Sequence, residues 1–194
     1  MTSDILRGIK RLIFQSISQT KKNLTCRLLL LSRYGAEIHP RAEILFENIG
    51  QIRLGIGVNV GAYSVIHIRD FTKGDNRSSL DVGEHTYIGE QNNIRATGGR
   101  IQIGRRCLIS QQVSIIAANH MIDKGIDILD QPWDTLKAGV IIGDDVWIGC
   151  GSQIMPGVKI GNGAVIAAGS VVVKDVEANS VMVGTPVRIL RYRD

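Results

Sequence analysis

The chain has 194 residues, room for one domain with a substantial core, and a net charge of +5. Aromatic residues make up only 5% of it while glycine occurs 22 times. This composition demands many tight corners around small branched side chains, and it speaks against a base-stacking nucleic-acid module. Cys26, Cys107 and Cys150 show no paired spacing, which argues against a disulfide framework or zinc site and for a reducing compartment. No apolar run approaches the roughly 20 residues of a membrane-spanning helix. The N-terminus also lacks a compact apolar segment ahead of a small-residue cleavage site. The expectation is a cytoplasmic protein, at most peripheral to the inner face of the membrane.

In chain order, the first 35 residues stand apart. Ile5, Ile9, Leu12, Ile13 and Ile17 follow helical spacing, and Leu24, Leu28 and Leu31 predict a second helix. Arg7, Lys10, Arg11, Lys21, Lys22, Arg27 and Arg33 face a single acid, Asp4, over the same stretch. A basic amphipathic segment of this kind either caps the end of an adjoining structure or touches anionic lipid. Capping is the plainer reading and is preferred.

From Ile38 onward an internal repeat decides the fold. Ile38 and Ile44 open it; Leu54, Val60 and Ile66 continue; then come Val82, Ile88 and Ile94, and Ile103, Ile109 and Ile115. The pattern is cleanest at the C-terminal end, where Ile142, Ile148, Ile154, Ile160, Ile166 and Val172 recur every six residues. Gly143, Gly149 and Gly161 follow three of these at the next position, and small or β-branched residues (Val146, Ser152, Val158, Ala164, Ser170, Val176) hold the fourth. A period of six suits neither a helix nor a hairpin; it predicts a parallel β-solenoid of short strands, three hexads to a triangular coil. Glycine beside the inward aliphatic is expected to supply the sharp corner conformation.

Two stretches interrupt the period. Residues of about 67–79 and 118–139 read as loops thrown out between coils, and the second contains "ANHMID", with Asn119, His120 and Asp123. A solenoid gains nothing by breaking its period around a histidine, unless the imidazole is needed where solvent and ligand can reach it.

From Ile38 to the C-terminus the chain resembles the left-handed β-helix hexapeptide-repeat acyltransferases. The resemblance rests on "IGDDVWIGCGSQIMPGVKIGNGAVIAAGSVVVKD" and "VGTPVRIL". These phrases look like the maltose, galactoside and xenobiotic acetyltransferase branch. The loop "NHMIDKGIDILDQPWDTLKAGVIIG" looks closer still to O-acetyltransferases of surface-polysaccharide sugars. The implied fold is a mainly β, left-handed parallel β-helix, a hand that periodicity alone does not reveal. The implied division is an N-terminal helical segment (1–35), the acyltransferase solenoid (36–183) and a tail packing on it (184–194).

The resemblance further implies an acetyl-CoA-dependent O-acetyltransferase working by direct transfer, with His120 as general base and no metal. For the acetyl donor the matching positions are Cys150 and Ala168 along the pantetheine arm, then Val173, Lys174, Arg188 and Arg191 toward the phosphate and adenine end. Lys174 and Arg188 suit phosphate physically. For the acceptor, a small molecule or glycan, the candidates are Asn92, Asn93, Asn119, Asp123 and Trp147, with His67 and His85 as secondary ones. Asp123 either orients the imidazole or caps a turn. The acidic residue expected before "IQIG" in the galactoside branch is replaced by Gly98-Gly99. Trp147 takes an outward phase and needs cover; the family implies a homotrimer with sites between subunits. Other readings stay open at this point: a streptogramin-type xenobiotic O-acetyltransferase, an amino-sugar-nucleotide N-acetyltransferase, or a non-catalytic scaffold.

Overall fold

The computed structural model describes residue 25 and residues 28–70 and 77–194. The apolar pattern from Ile5 to Leu24, the basic residues up to Arg27, and Cys26 lie outside the described residues. So does the middle of the first excursion.

Strands of two to five residues pair in parallel with the strands one coil below and one coil above, forming three faces of a left-handed prism. Sheet A stacks Glu37–Ile38, Asn59–Val60, Tyr87–Ile88, Leu108–Ile109, Trp147–Ile148, Val165–Ile166 and Ser180–Val183. Sheet B stacks Glu43–Leu45, Val65–Arg69, Asn93–Thr97, Ser114–Ile116, Gln153–Ile154 and Val171–Val172. Sheet C stacks Ile52–Leu54, Ser79–Val82, Arg100–Ile103, Val140–Ile142 and Lys159–Ile160. Register follows the period: Ile88, Ile109, Ile148 and Ile166 align along sheet A, and Ile66, Ile94, Ile115, Ile154 and Val172 along sheet B. These side chains are fully enclosed. Each contributes about 1.5–3 kcal/mol of apolar burial, so the core is a sum of near-identical layers.

The ends are closed differently. Residues 28–34 are helical, and Leu30 is buried in the core cluster while Leu28 and Leu31 are exposed. The inward face of this helix is therefore the one through Leu30, not the one through Leu28 and Leu31. Tyr34 fixes the helix to the first coil by donating its hydroxyl to the Ile52 carbonyl at 3.0 Å. At the other end Arg188–Tyr192 turns back as an antiparallel strand on Ser180–Val183. No helix among the described residues is long and apolar enough to cross a membrane.

Two sequence expectations need correction. The strand Val65–Arg69 runs past His67, so the first excursion starts only at Asp70. Asp70 is buried and ties its base, accepting from the Ser78 amide at 2.8 Å and from Gln51 Nε2 at 3.2 Å. The glycines beside the inward aliphatics serve close approach and not an unusual φ. A Cβ on Gly149 would lie 2.5 Å from the Ala168 amide nitrogen of the next coil. The left-handed conformation falls two residues later, at Gly151 (φ 71) and, in the coil edge before it, Asp145 (φ 55). Backbone packing against backbone sets the first position; the turn sets the second.

The two positions should separate on mutation. Gly149→Ala forces one coil off the next and is expected to cost about 1–3 kcal/mol, at roughly 2–4 °C of melting temperature per kcal/mol for a chain of this size. Gly151→Asn, in open space and with a residue that tolerates the left-handed region, should stay within about 0.5 kcal/mol. Thermal melts followed by circular dichroism check both.

Candidate active site

All the irregular connections of the solenoid leave by one edge, the corner from sheet B to sheet C. There the chain passes from 43–45 to 52–54 through a short 3-10 turn, from 65–69 to 79–82 through the first excursion, and from 114–116 to 140–142 through the second. The coil between the two excursions turns tightly at Gly98-Gly99. This glycine pair, which the sequence presents as a departure from a family pattern, has a packing cause. A Cβ on Gly99 would sit 2.7 Å from the Gly139 nitrogen and 2.9 Å from the Ala117 carbonyl. Ala117 is where the second excursion departs and Gly139 where it returns, and the Gly139 amide donates to the Ala117 carbonyl at 2.7 Å. The loop closes on itself directly above a glycine that makes space for it.

Inside the excursion the two arms form an antiparallel bridge between His120 and Trp133. Met121 N–H donates to the Pro132 carbonyl and Asp134 N–H to the Asn119 carbonyl, both at 2.8 Å. A buried glutamine, Gln131, completes the frame. Its Oε1 accepts from the Asp123 amide at 2.6 Å, and its Nε2 donates to the carbonyls of Asp123 (3.1 Å) and Ile126 (3.0 Å). The bridge lays the imidazole of His120 on the indole of Trp133, with ring centroids 3.8 Å apart and planes inclined by 31°. Nδ1 of His120 is buried without a hydrogen-bond partner. Nearby, under the returning arm, a cavity of about 340 Å³ is walled by Gly99, Gln102, Thr135, Ile141, Gly157 and Lys159, among others.

The other sequence candidates separate. Asn119 is exposed beside His120 and uses its carbonyl in the bridge. Asp123 is exposed, and only its backbone is engaged, by Gln131; its carboxylate makes no hydrogen bond to His120, so it does not orient the ring. Asn92 is 1% exposed and its side chain is consumed by the fold: Nδ2 donates to the Gly89 carbonyl at 2.9 Å and Oδ1 accepts from the Val113 amide at 2.7 Å. It cannot meet an acceptor. Asn93 points outward on sheet B, where it accepts from Arg95 Nε at 2.9 Å.

Trp147 lies on sheet A, the face opposite the edge that carries His120, and donates to the Ser110 hydroxyl at 3.2 Å. Cys150 and Ala168 stack on the edge between sheets A and B, where the Gly169 amide donates to the Cys150 carbonyl at 2.8 Å. Val173 and Lys174 follow the last sheet B strand, at the edge that carries His120, while Arg188 and Arg191 lie on the terminal strand of sheet A. Within one chain, therefore, the donor candidates are divided among different edges.

Trp133 and Gln131 are the members that sequence reasoning missed. Trp133 left a signal, as one of two tryptophans in the chain and a resident of the same loop as His120; Gln131 left none.

A family profile described as "Bacterial transferase hexapeptide (six repeats)" matches residues 139–174. A putative acetyltransferase of Saccharomyces cerevisiae, YJL218W, is 39% identical over 118 residues, which is 57% of this chain and 58% of that protein. A probable macrolide acetyltransferase of Lysinibacillus sphaericus is 37% identical over 126 residues, 57% of this chain and 69% of that protein. Among solved structures, that of the polySia-specific acetyltransferase NeuO superposes with a TM-score of 0.64 at 26% identity, covering 81% of this chain and 68% of that one. The chain belongs to the hexapeptide-repeat acetyltransferase family. The aligned stretch spans little more than half the length of the yeast relative.

The frame around His120 can be tested without any assay of turnover. Gln131→Ala removes three hydrogen bonds from the loop and none from the coils. It should raise local opening about ten- to a hundredfold, as expected for losing about 1–3 kcal/mol. Amide exchange at Asp123 should accelerate by that factor while the strands of sheet B keep their protection.

Proposed function

We propose that the protein is an acetyl-CoA-dependent O-acetyltransferase acting on a sugar hydroxyl of a cell-surface polysaccharide or its precursor, with His120 as general base. The observation that carries this reading is the setting of His120. A loop thrown out from the coils is framed by a backbone bridge and a buried glutamine, and it holds one imidazole against an indole at a tilt of 31°. Histidine is the side chain whose ordinary pKa suits proton transfer near neutrality. His120 takes the acceptor hydroxyl proton as the oxygen attacks the thioester carbonyl. The C–S bond breaks, and the imidazolium returns the proton to the leaving thiolate, giving ester and free thiol. Trp133 keeps the ring in place.

We assign Cys150, Ala168, Val173, Lys174, Arg188 and Arg191 to the donor. Since they lie on several edges of one prism, the reading requires a neighbour, and we infer a homotrimer with sites shared between subunits. One observation supports it: Leu108 and Trp147 leave adjacent apolar surface on sheet A, 45% and 49% exposed. The free thiols of Cys107 and Cys150 fit a cytoplasmic setting. A second reading, O-acetylation of a xenobiotic, has the Lysinibacillus relative on its side; the same base would serve it.

His120→Ala should leave melting temperature and coenzyme A affinity unchanged while lowering turnover at least ~100-fold, the scale for losing a general base. Calorimetric titration with coenzyme A, followed by an acceptor panel of sugars, nucleotide sugars and macrolides, checks this. Near-wild-type turnover removes His120 from the mechanism, and macrolide turnover without sugar turnover selects the second reading. Trp147→Glu places a charge in the inferred interface; it should give folded monomers in sedimentation velocity, and those monomers should be inactive.

A further inference from the structure

Several arginines on the prism faces are neutralised by carboxylates. Arg53 and Arg100 share Asp81, Arg105 meets Asp144 at 3.0 Å and Arg193 meets Asp145 at 3.0 Å. Arg95, outward on sheet B, is held by neutral groups instead. Its Nε donates to Asn93 Oδ1 at 2.9 Å, and its Nη1 lies 3.1 Å from Nδ1 of His67. No carboxylate among the described residues pairs with it.

The contact with His67 fixes more than position. A guanidinium only donates, so Nδ1 of His67 accepts and its proton sits on Nε2. Burial, and then the neighbouring Arg95 and Arg69 charges, hold this imidazole below its usual range, against weaker opposition from Glu43 and Glu47. The result is a guanidinium anchored at two points, its charge uncompensated, beside a neutral ring with a second N–H to offer. Anchoring reduces the rotamer entropy that a long side chain would lose on gripping a ligand.

Location gives the arrangement its meaning. Arg95 stands in register with Ile116, and its carbonyl accepts the Ala117 amide at 2.9 Å. It is therefore one coil below the point where the chain departs for His120. His67 is in register one coil lower again. A ligand whose hydroxyl reaches the base from this face passes over both groups.

We propose, resting on the acetyltransferase reading above, that the acceptor is anionic and that its carboxylate or phosphate is gripped by Arg95 and His67. A planar fork beside a second donor matches the oxygens of either group.

The test compares three monosaccharides that share a ring: methyl glucoside, methyl glucuronide and glucose 1-phosphate. Binding to the full-length protein, saturated with coenzyme A, is followed by NMR titration. At least one anionic sugar should bind tenfold or more tighter than the neutral one, and whether it is the carboxylate or the phosphate identifies the source of the charge. Arg95→Gln should erase about ten- to a hundredfold of that preference, the range of a charge-assisted hydrogen bond, without altering coenzyme A affinity. His67→Phe should erase part of it. Where the sugar is also acetylated, the loss should appear in KM and spare kcat. Equal binding of charged and neutral sugars, no binding of either anion, or an anionic preference that survives Arg95→Gln would overturn the proposal. Failure of the underlying reading looks different: the protein would then neither bind coenzyme A nor be stabilised by it.

Discussion

Coil-on-coil stacking is the constraint on which the rest of this structure depends. Each short strand is too small to be stable alone, and its amides and carbonyls are satisfied only by the strands directly below and above. The stacking fixes the repeat at six residues, because any other spacing would shift an inward isoleucine out of its ladder. It also decides the edges. Where neighbouring coils come within van der Waals distance, as at Gly55, Gly83, Gly149 and Gly161, a Cβ would meet the next backbone at 2.5 Å. The glycines follow from the distance between layers.

The same constraint explains where function can be added. A coil can be extended only where the chain leaves one face and has not yet joined the next, and the extension must return to the point it left. The excursion around His120 meets both conditions, leaving at Ala117 and returning at Gly139 across a single hydrogen bond. Because its closure is local, the loop can hold irregular backbone and exposed aliphatics (Leu129 and Leu136 are about 90% exposed) without disturbing the ladder beneath. The solenoid supplies rigidity at the root, and the bridge and Gln131 supply it within the loop.

How much of this was legible in the sequence follows from what periodicity encodes. The ladders were legible because every inward position repeats, and His120 because a strict repeat makes any interruption visible. Asn92 was misread for the same reason: polar residues in a solenoid look like site residues, yet Asn92, Ser64 and Thr86 point inward and satisfy corner backbone groups. The glycine phase was read correctly, but its cause was not, since contact between layers leaves no trace in a single hexad. Trp133 and Gln131 act across the bridge of a loop with no period at all. Only the folded loop brings Trp133 to His120.

The division of the site among edges carries the argument furthest. A triangular prism gives each chain three faces with little concavity beyond recesses such as the one under the returning arm, so a straight solenoid does not surround a ligand by itself. Under the acetyltransferase reading this is the physical reason for a site between subunits. One chain contributes the base and, on sheet B, the Arg95–His67 pair; a neighbour contributes the edge of Cys150 and Ala168. On this reading each chain carries half of two sites. The concavity that catalysis needs is then a property of the assembly, and the outward residues of the repeat, which the fold itself leaves free, determine which ligand it accepts.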